Sequence, residues 1–154
     1  MYNFISKSES DTIKFAKGLA SKLSKSDVIV LTGELGSGKT KFTQGFLEYF
    51  ELADEISSPT FTIVNEYNTK DGQNIYHFDV YRLSDAEEFY AIGGEEYFEN
   101  GICIIEWGEL IKEALPKDYI HITFEKDNND ENYRLLKIET TGEKFKSLFP
   151  TNKI

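Results

Sequence analysis

Lys39 and Thr40 place an ammonium and a hydroxyl side by side, a pair suited to a chain of phosphates. They close the string Gly33-Glu34-Leu35-Gly36-Ser37-Gly38-Lys39-Thr40, which reads G-x-x-x-x-G-K-T. In this pattern the glycines let successive backbone N–H groups turn inward around phosphate oxygens, the lysine meets the terminal phosphates, and the following hydroxyl faces magnesium. Glu34, Leu35, Gly36, Ser37 and Gly38 are therefore assigned, with Lys39 and Thr40, to binding a nucleoside triphosphate. Thr40 is also assigned to the metal.

A hard cation such as Mg2+ keeps several waters and takes a few oxygen ligands, so a carboxylate should complete the site. Asp79, Glu66 and Glu106 are the candidates. Asp79 lies in an aromatic strand, where an unpaired carboxylate is costly to bury, and we assign it to the metal, with an edge-strand charge facing water as the alternative. Glu106 follows the apolar run Ile102-Cys103-Ile104-Ile105, at the carboxyl end of a buried strand, where α/β sheets hold their ligands. It either holds the attacking water or stands on the metal side. Trp107 beside it offers stacking on a ligand, docking of a partner, or plain packing. Ser58-Pro59-Thr60 either forms an ordinary proline turn or lets Thr60 sense the terminal phosphate. His77 reads as a hydrogen-bonded sheet residue rather than a catalyst. Arg82 either pairs with an acid such as Glu87 or faces phosphate.

The elements that must hold these groups can be read from periodicity. Residues 28–31 form a buried strand before the loop, and Phe42, Phe46, Leu47 and Phe50 stripe the helix after it. Upstream, Ser8-Glu9-Ser10-Asp11 starts a helix whose face is Ile13, Ala16, Leu19 and Leu23, ending near Ser24. It serves as a packing helix, with a share in a base pocket as the alternative. Residues 61–67 and 75–83 form an antiparallel hairpin around Asp71-Gly72, and period two puts His77 and Asp79 on one face. Ser84-Asp85-Ala86-Glu87 opens a short helix, Gly93-Gly94 interrupts it, and a second piece spans 95–98. The strand 102–105 and a short helix 110–114 follow, then a second hairpin from 120–124 and 133–140. Residues 142–154 read as a loosely ordered tail. The expectation is a single α/β phosphate-loop NTPase domain over 1–154, with a mixed parallel/antiparallel sheet flanked by helices.

Composition narrows the chemistry. Among 154 residues, 27 acidic and 17 basic side chains give a formal charge of −10, which opposes autonomous nucleic-acid binding. Arg82 and Arg134 are the only arginines, so few guanidinium groups can stabilise a transferring phosphoryl group. No apolar run approaches the roughly 20 residues of a membrane span, and no secretory leader is visible. The one cysteine, Cys103, sits in an apolar run and is read as buried. A cytoplasmic protein is expected.

Several strings together resemble the TsaE (YjeE) family, small bacterial ATPases of tRNA threonylcarbamoyladenosine biosynthesis. They are the loop of 33–40, the segment Ser58-Pro59-Thr60-Phe61-Thr62-Ile63-Val64-Asn65-Glu66-Tyr67, the strand Tyr76-His77-Phe78-Asp79-Val80-Tyr81-Arg82-Leu83, and Ile104-Ile105-Glu106-Trp107. The resemblance implies that Lys39 and Thr40 bind phosphate and magnesium, that Asp79 assists the metal, that Glu106 and Trp107 complete the site, and that Thr60 is a switch residue. It further implies ATP and Mg2+ as cofactors and two partner proteins, TsaD and TsaB, with tRNA met only through that complex. Glu34, Ser37 and Gly108 depart from the commoner aspartate, alanine and proline of the family. A small nucleotide kinase is the rival enzyme, poorly served by two arginines and no evident lid. A GTPase lacks its Asn-Lys-x-Asp string here. A nucleotide-gated assembly factor that binds without hydrolysing is the rival outside catalysis.

Overall fold

A strand buried on both faces needs apolar residues throughout, and Val-Ile-Val-Leu at 28–31 supplies them at the centre of the sheet. The computed structural model describes residues 1–34, 36–52, 64–81, 83 and 85–150. Leu35, Arg82, Ser84 and the Ser58-Pro59-Thr60 segment, with their expected roles, lie outside the described residues. In chain order the elements are β1 (Tyr2–Ser6), α1 (Glu9–Ala20), β2 (Val28–Thr32), α2 (Lys39–Tyr49), β3 (Val64–Asn68), β4 (Asn74–Asp79), α3 (Ala86–Ala91), α4 (Gly94–Asn100), β5 (Ile102–Glu106), β6 (Ile120–Lys126) and β7 (Arg134–Thr140). A 3-10 segment, Gly108–Ala114, links β5 to β6, and a short one, Lys146–Leu148, follows β7.

These strands form one seven-stranded sheet in the order β1-β7-β6-β2-β5-β4-β3. The core is parallel, with β2 between β5 and β6 and β4 beside β5. Both hairpins, β3–β4 and β6–β7, add antiparallel edges, and β1 caps β7 antiparallel. The fold is thus the mixed α/β sheet flanked by helices that the sequence predicts.

Each sheet face carries its own core. Ile29, Leu31, Ile104 and Ile122 pack under α1 and α2 with Phe42 and Phe46. On the other face Val28, Val30, Phe78 and Ile105 pack against α3, α4 and the 3-10 segment through Phe89, Phe98 and Ile111. The two helices of the first face touch at backbone level. A Cβ on Gly45 of α2 would come within 2.3 Å of the Ile13 carbonyl oxygen of α1. Cys103 is fully buried, and burial pushes its thiol up to about 12.

Three local expectations differ from the structure. Ser8 caps α1 by accepting the Asp11 N–H, but the helix stops at Ala20 rather than near Ser24. At α3 the cap is Asp85, which accepts the Glu88 N–H. Residues 142–150 pack rather than trail, because Phe145 is 3% exposed in the main core and Phe149 meets Tyr2 with ring centroids 5.7 Å apart. Asp118 holds them too, its Oδ1 accepting the Glu143 and Lys144 N–H groups, and Lys144 pairs with Asp27.

Candidate functional site

Two glycines shape the loop between β2 and α2. Gly36 and Gly38 have φ of 80° and 114°, where a side chain would be strained, and Gly38 caps α2. A Cβ on Gly33 would lie 2.6 Å from Ser37 Oγ and 3.0 Å from Phe124, so the loop must turn tightly there. The buried Ser37 hydroxyl has no partner among the described residues. This geometry leaves Lys39 as the first residue of α2, 8% exposed, with its ammonium directed toward β5.

There it meets Glu106. Lys39 Nζ lies 3.4 Å from Glu106 Oε1, while His77 Nε2 lies 2.7 Å from Glu106 Oε2. Both carboxylate oxygens are thus engaged. Burial alone would raise the Glu106 pKa, but the His77 hydrogen bond and the nearby His77 and Lys39 charges outweigh it and hold the carboxyl below its usual range. His77 is 3% exposed, and among the described residues its Nδ1 has no partner while its Nε2 meets Glu106.

Strand register explains the meeting. Asp79 on β4 pairs with Glu106 on β5, which pairs with Leu31 on β2, so these side chains share one face at the carboxyl ends of three parallel strands. Asp79 Oδ1 accepts the Tyr81 N–H at 3.0 Å. Glu66 pairs with Tyr76 and therefore faces away from Asp79, which removes it from the candidates. Trp107 follows at φ 63°, its N–H donating to Leu31 O at 2.8 Å. Its ring lies 4.8 Å from Lys39 Nζ and 5.4 Å from the exposed ring of Tyr81.

A cavity of about 770 Å³ opens over these groups. Glu34, Gly36, Gly38, Lys39, Thr40, Asp79, Glu106 and Trp107 all line it. Two further walls complete it. Ser8, Glu9 and Thr12 from the start of α1 form one. Glu131, Asn132 and Arg134 from the β6–β7 turn form the other. Arg134 Nη2 donates to Gly36 O at 3.3 Å, and its Nη1 donates to the carbonyls of Tyr133 and Glu131. The available signal was its scarcity, since one of only two arginines was unassigned by any local pattern.

The donor set suits a magnesium triphosphate. Left-handed glycines, a buried lysine and an unpartnered hydroxyl at Ser37 form a cradle for phosphate oxygens. Among the described residues no three His, Cys, Asp or Glu side chains gather as a metal cage.

The architecture is thus an α/β domain with a mixed sheet, its G-x-x-x-x-G-K-T loop opening onto acidic strand ends. The family model "Threonylcarbamoyl adenosine biosynthesis protein TsaE" matches residues 6–135. A tRNA threonylcarbamoyladenosine biosynthesis protein TsaE of Bacillus subtilis is 40% identical over 90% of this chain and 85% of its own. That of Haemophilus influenzae is 36% identical over 92% of each. The crystal structure of Bacillus subtilis YdiB superposes with a TM-score of 0.70 at 35% identity, covering 90% of this chain and 84% of that one. The chain belongs to the TsaE family of tRNA threonylcarbamoyladenosine biosynthesis. No helix among the described residues is long and apolar enough to cross a membrane.

Proposed function

We propose that the chain binds Mg-ATP in this cavity and hydrolyses it slowly, in the cytoplasm, to support formation of N6-threonylcarbamoyladenosine at position 37 of tRNA by a TsaD–TsaB complex. The observation that carries this reading is the convergence of Lys39, Asp79, Glu106 and Trp107 on the mouth of one glycine loop. Thr40 and Asp79 would hold magnesium. The bound ion supplies charge neutralisation to the β- and γ-phosphates. Lys39 would leave Glu106 for phosphate oxygens, which are the stronger attraction for an ammonium. Glu106, freed on one oxygen and kept on the other by His77, would orient the water that adds to the γ-phosphorus as the bond to the ADP oxygen breaks. Its depressed pKa makes it a weak base, so it serves better as an orienting acceptor than as the final proton acceptor.

Slow turnover follows from the same contacts. Once Lys39 has turned to phosphate, Arg134 is the guanidinium that lines the cavity, and it spends its donors on backbone carbonyls. Transition-state charge is left to few cations unless a partner supplies another. Reconstitution with TsaD, TsaB, tRNA and substrates tests the reading. Modified adenosine should accumulate over several turnovers only when this protein and ATP are present. An equal yield without it would overturn the proposal, and multiple turnovers with a non-hydrolysable ATP analogue would favour the gating factor instead. Conversion of a nucleoside monophosphate to its diphosphate would establish the kinase.

A further inference from the structure

A second polar cluster lies on the opposite face of β2 from the Lys39–Glu106 contact. Thr32 ends β2 immediately before the loop, and its Oγ1 donates to Glu109 Oε2 at 2.6 Å. His121 Nε2, on β6, lies 2.8 Å from the same hydroxyl oxygen. A threonine hydroxyl has one proton, already given to Glu109, so Nε2 must carry the hydrogen of the second bond. Thr32 thereby joins the central strand, the neighbouring strand and the 3-10 segment. None of the roles proposed above uses these three residues.

The backbone between Glu106 and Glu109 explains why such a tie is needed. Trp107 holds φ at 63°, a conformation that strains a residue other than glycine and persists only where its surroundings enforce it. One anchor is its own N–H on Leu31 O. Gly108 then presses on β2, where an added Cβ would lie 2.9 Å from Val30 Cγ2. The third anchor is Glu109 on Thr32. Together they clamp the turn to the end of β2, and the turn carries the indole that lies over Lys39. Leu110, next along, is 46% exposed and supplies no inward hold.

We propose that Glu109, held by Thr32 and His121, is a positioning residue that fixes the indole of Trp107 over Lys39. It acts through the backbone of 107–109 and touches neither the lysine nor the cavity. The inference concerns the free protein; only its consequence for nucleotide binding rests on the function proposed above.

Trp107 is the chain's one tryptophan, so intrinsic emission excited at the indole edge reports on this turn alone. Thr32→Val and Glu109→Ala should shift that emission to longer wavelength and increase its quenching by acrylamide, at a temperature well below each variant's melting point. Glu109→Gln keeps an oxygen for the Thr32 hydroxyl and should restore the parent spectrum. Glu113→Ala, an exposed change in the same 3-10 segment, should leave it unaltered. Parent-like emission in both Thr32→Val and Glu109→Ala would overturn the proposal, as would an equal shift in Glu113→Ala. Adding Mg-ATP separates the two readings. Spectral shifts without any nucleotide response in the parent would sink the ATPase while leaving Glu109 its role.

Discussion

Lys39 and Glu106 face each other across 3.4 Å, yet the chain delivers them by different routes. Lys39 is set by a stretch of a few residues, in which Gly36 and Gly38 turn the backbone and α2 begins on the lysine itself. Glu106 arrives from far along the sequence and depends on parallel pairing of β5 with both β2 and β4. Its two oxygens are then held by residues of two other elements, α2 and β4. A locally encoded group tolerates changes in remote packing, whereas a group assembled by register and by neighbours depends on them. On the proposed function the same contrast would separate binding from chemistry, with the local half cradling phosphate and the assembled half directing water.

That division can be broken by experiment, most forcefully at Glu106. Glu106→Gln should lower partner-stimulated hydrolysis by about 100-fold or more while nucleotide affinity, measured by calorimetry, changes little. A large loss of affinity would merge the two halves. The same substitution should flatten the acid limb of stability. The folded carboxyl titrates below the ordinary glutamate range, so its contribution is present above that range and lost as pH falls through the depressed value. Urea midpoints at neutral and acid pH should therefore converge in the variant relative to the parent.

Lys39→Ala should weaken nucleotide binding by about 2–3 kcal/mol, the worth of hydrogen bonds to a charged group. Unchanged affinity would remove Lys39 from the phosphate site. A smaller effect is expected where α1 and α2 touch. Gly45→Ala forces the helices apart at the Ile13 carbonyl and should destabilise the fold by about 1–3 kcal/mol, read from denaturant midpoints. If the loop is set locally, nucleotide affinity should survive this change, and its loss would show that α2 needs its packing to present Lys39. The smallest effect belongs to Gly18. It is in α1 with nothing within 4 Å of an added Cβ, so Gly18→Ala should stabilise by about 0.5–1 kcal/mol and leave both halves of the site alone.

What could be read from the sequence divides along the same line. The loop, the cap at Ser8, the Asp71-Gly72 hairpin and the apolar strand before Glu106 are patterns of adjacent residues, and each has its counterpart in the structure. Period two put His77 and Asp79 on one face, but it does not say which strand lies alongside. The bond from His77 to Glu106 needs the β4–β5 register, and that register is a property of the whole sheet. The same holds for Arg134, whose approach to Gly36 depends on β6 lying against β2. β1 escaped notice because an edge strand with one buried position in five carries little periodicity. Phe145 was read as part of a tail, since the core it enters is assembled from residues spread between α1 and β7 and not from its neighbours in sequence.

The place of β2 in the sheet has a consequence for biosynthesis. Its two neighbours, β5 and β6, both lie downstream of the first four strands. A ribosome therefore releases the glycine loop and its helix long before either strand that must flank them exists. Distant pairings of this kind slow folding and leave sheet edges open while the chain is incomplete. The nascent loop gains its last flanking strand only when β6 emerges, so its final surroundings form after six of the seven strands have been made.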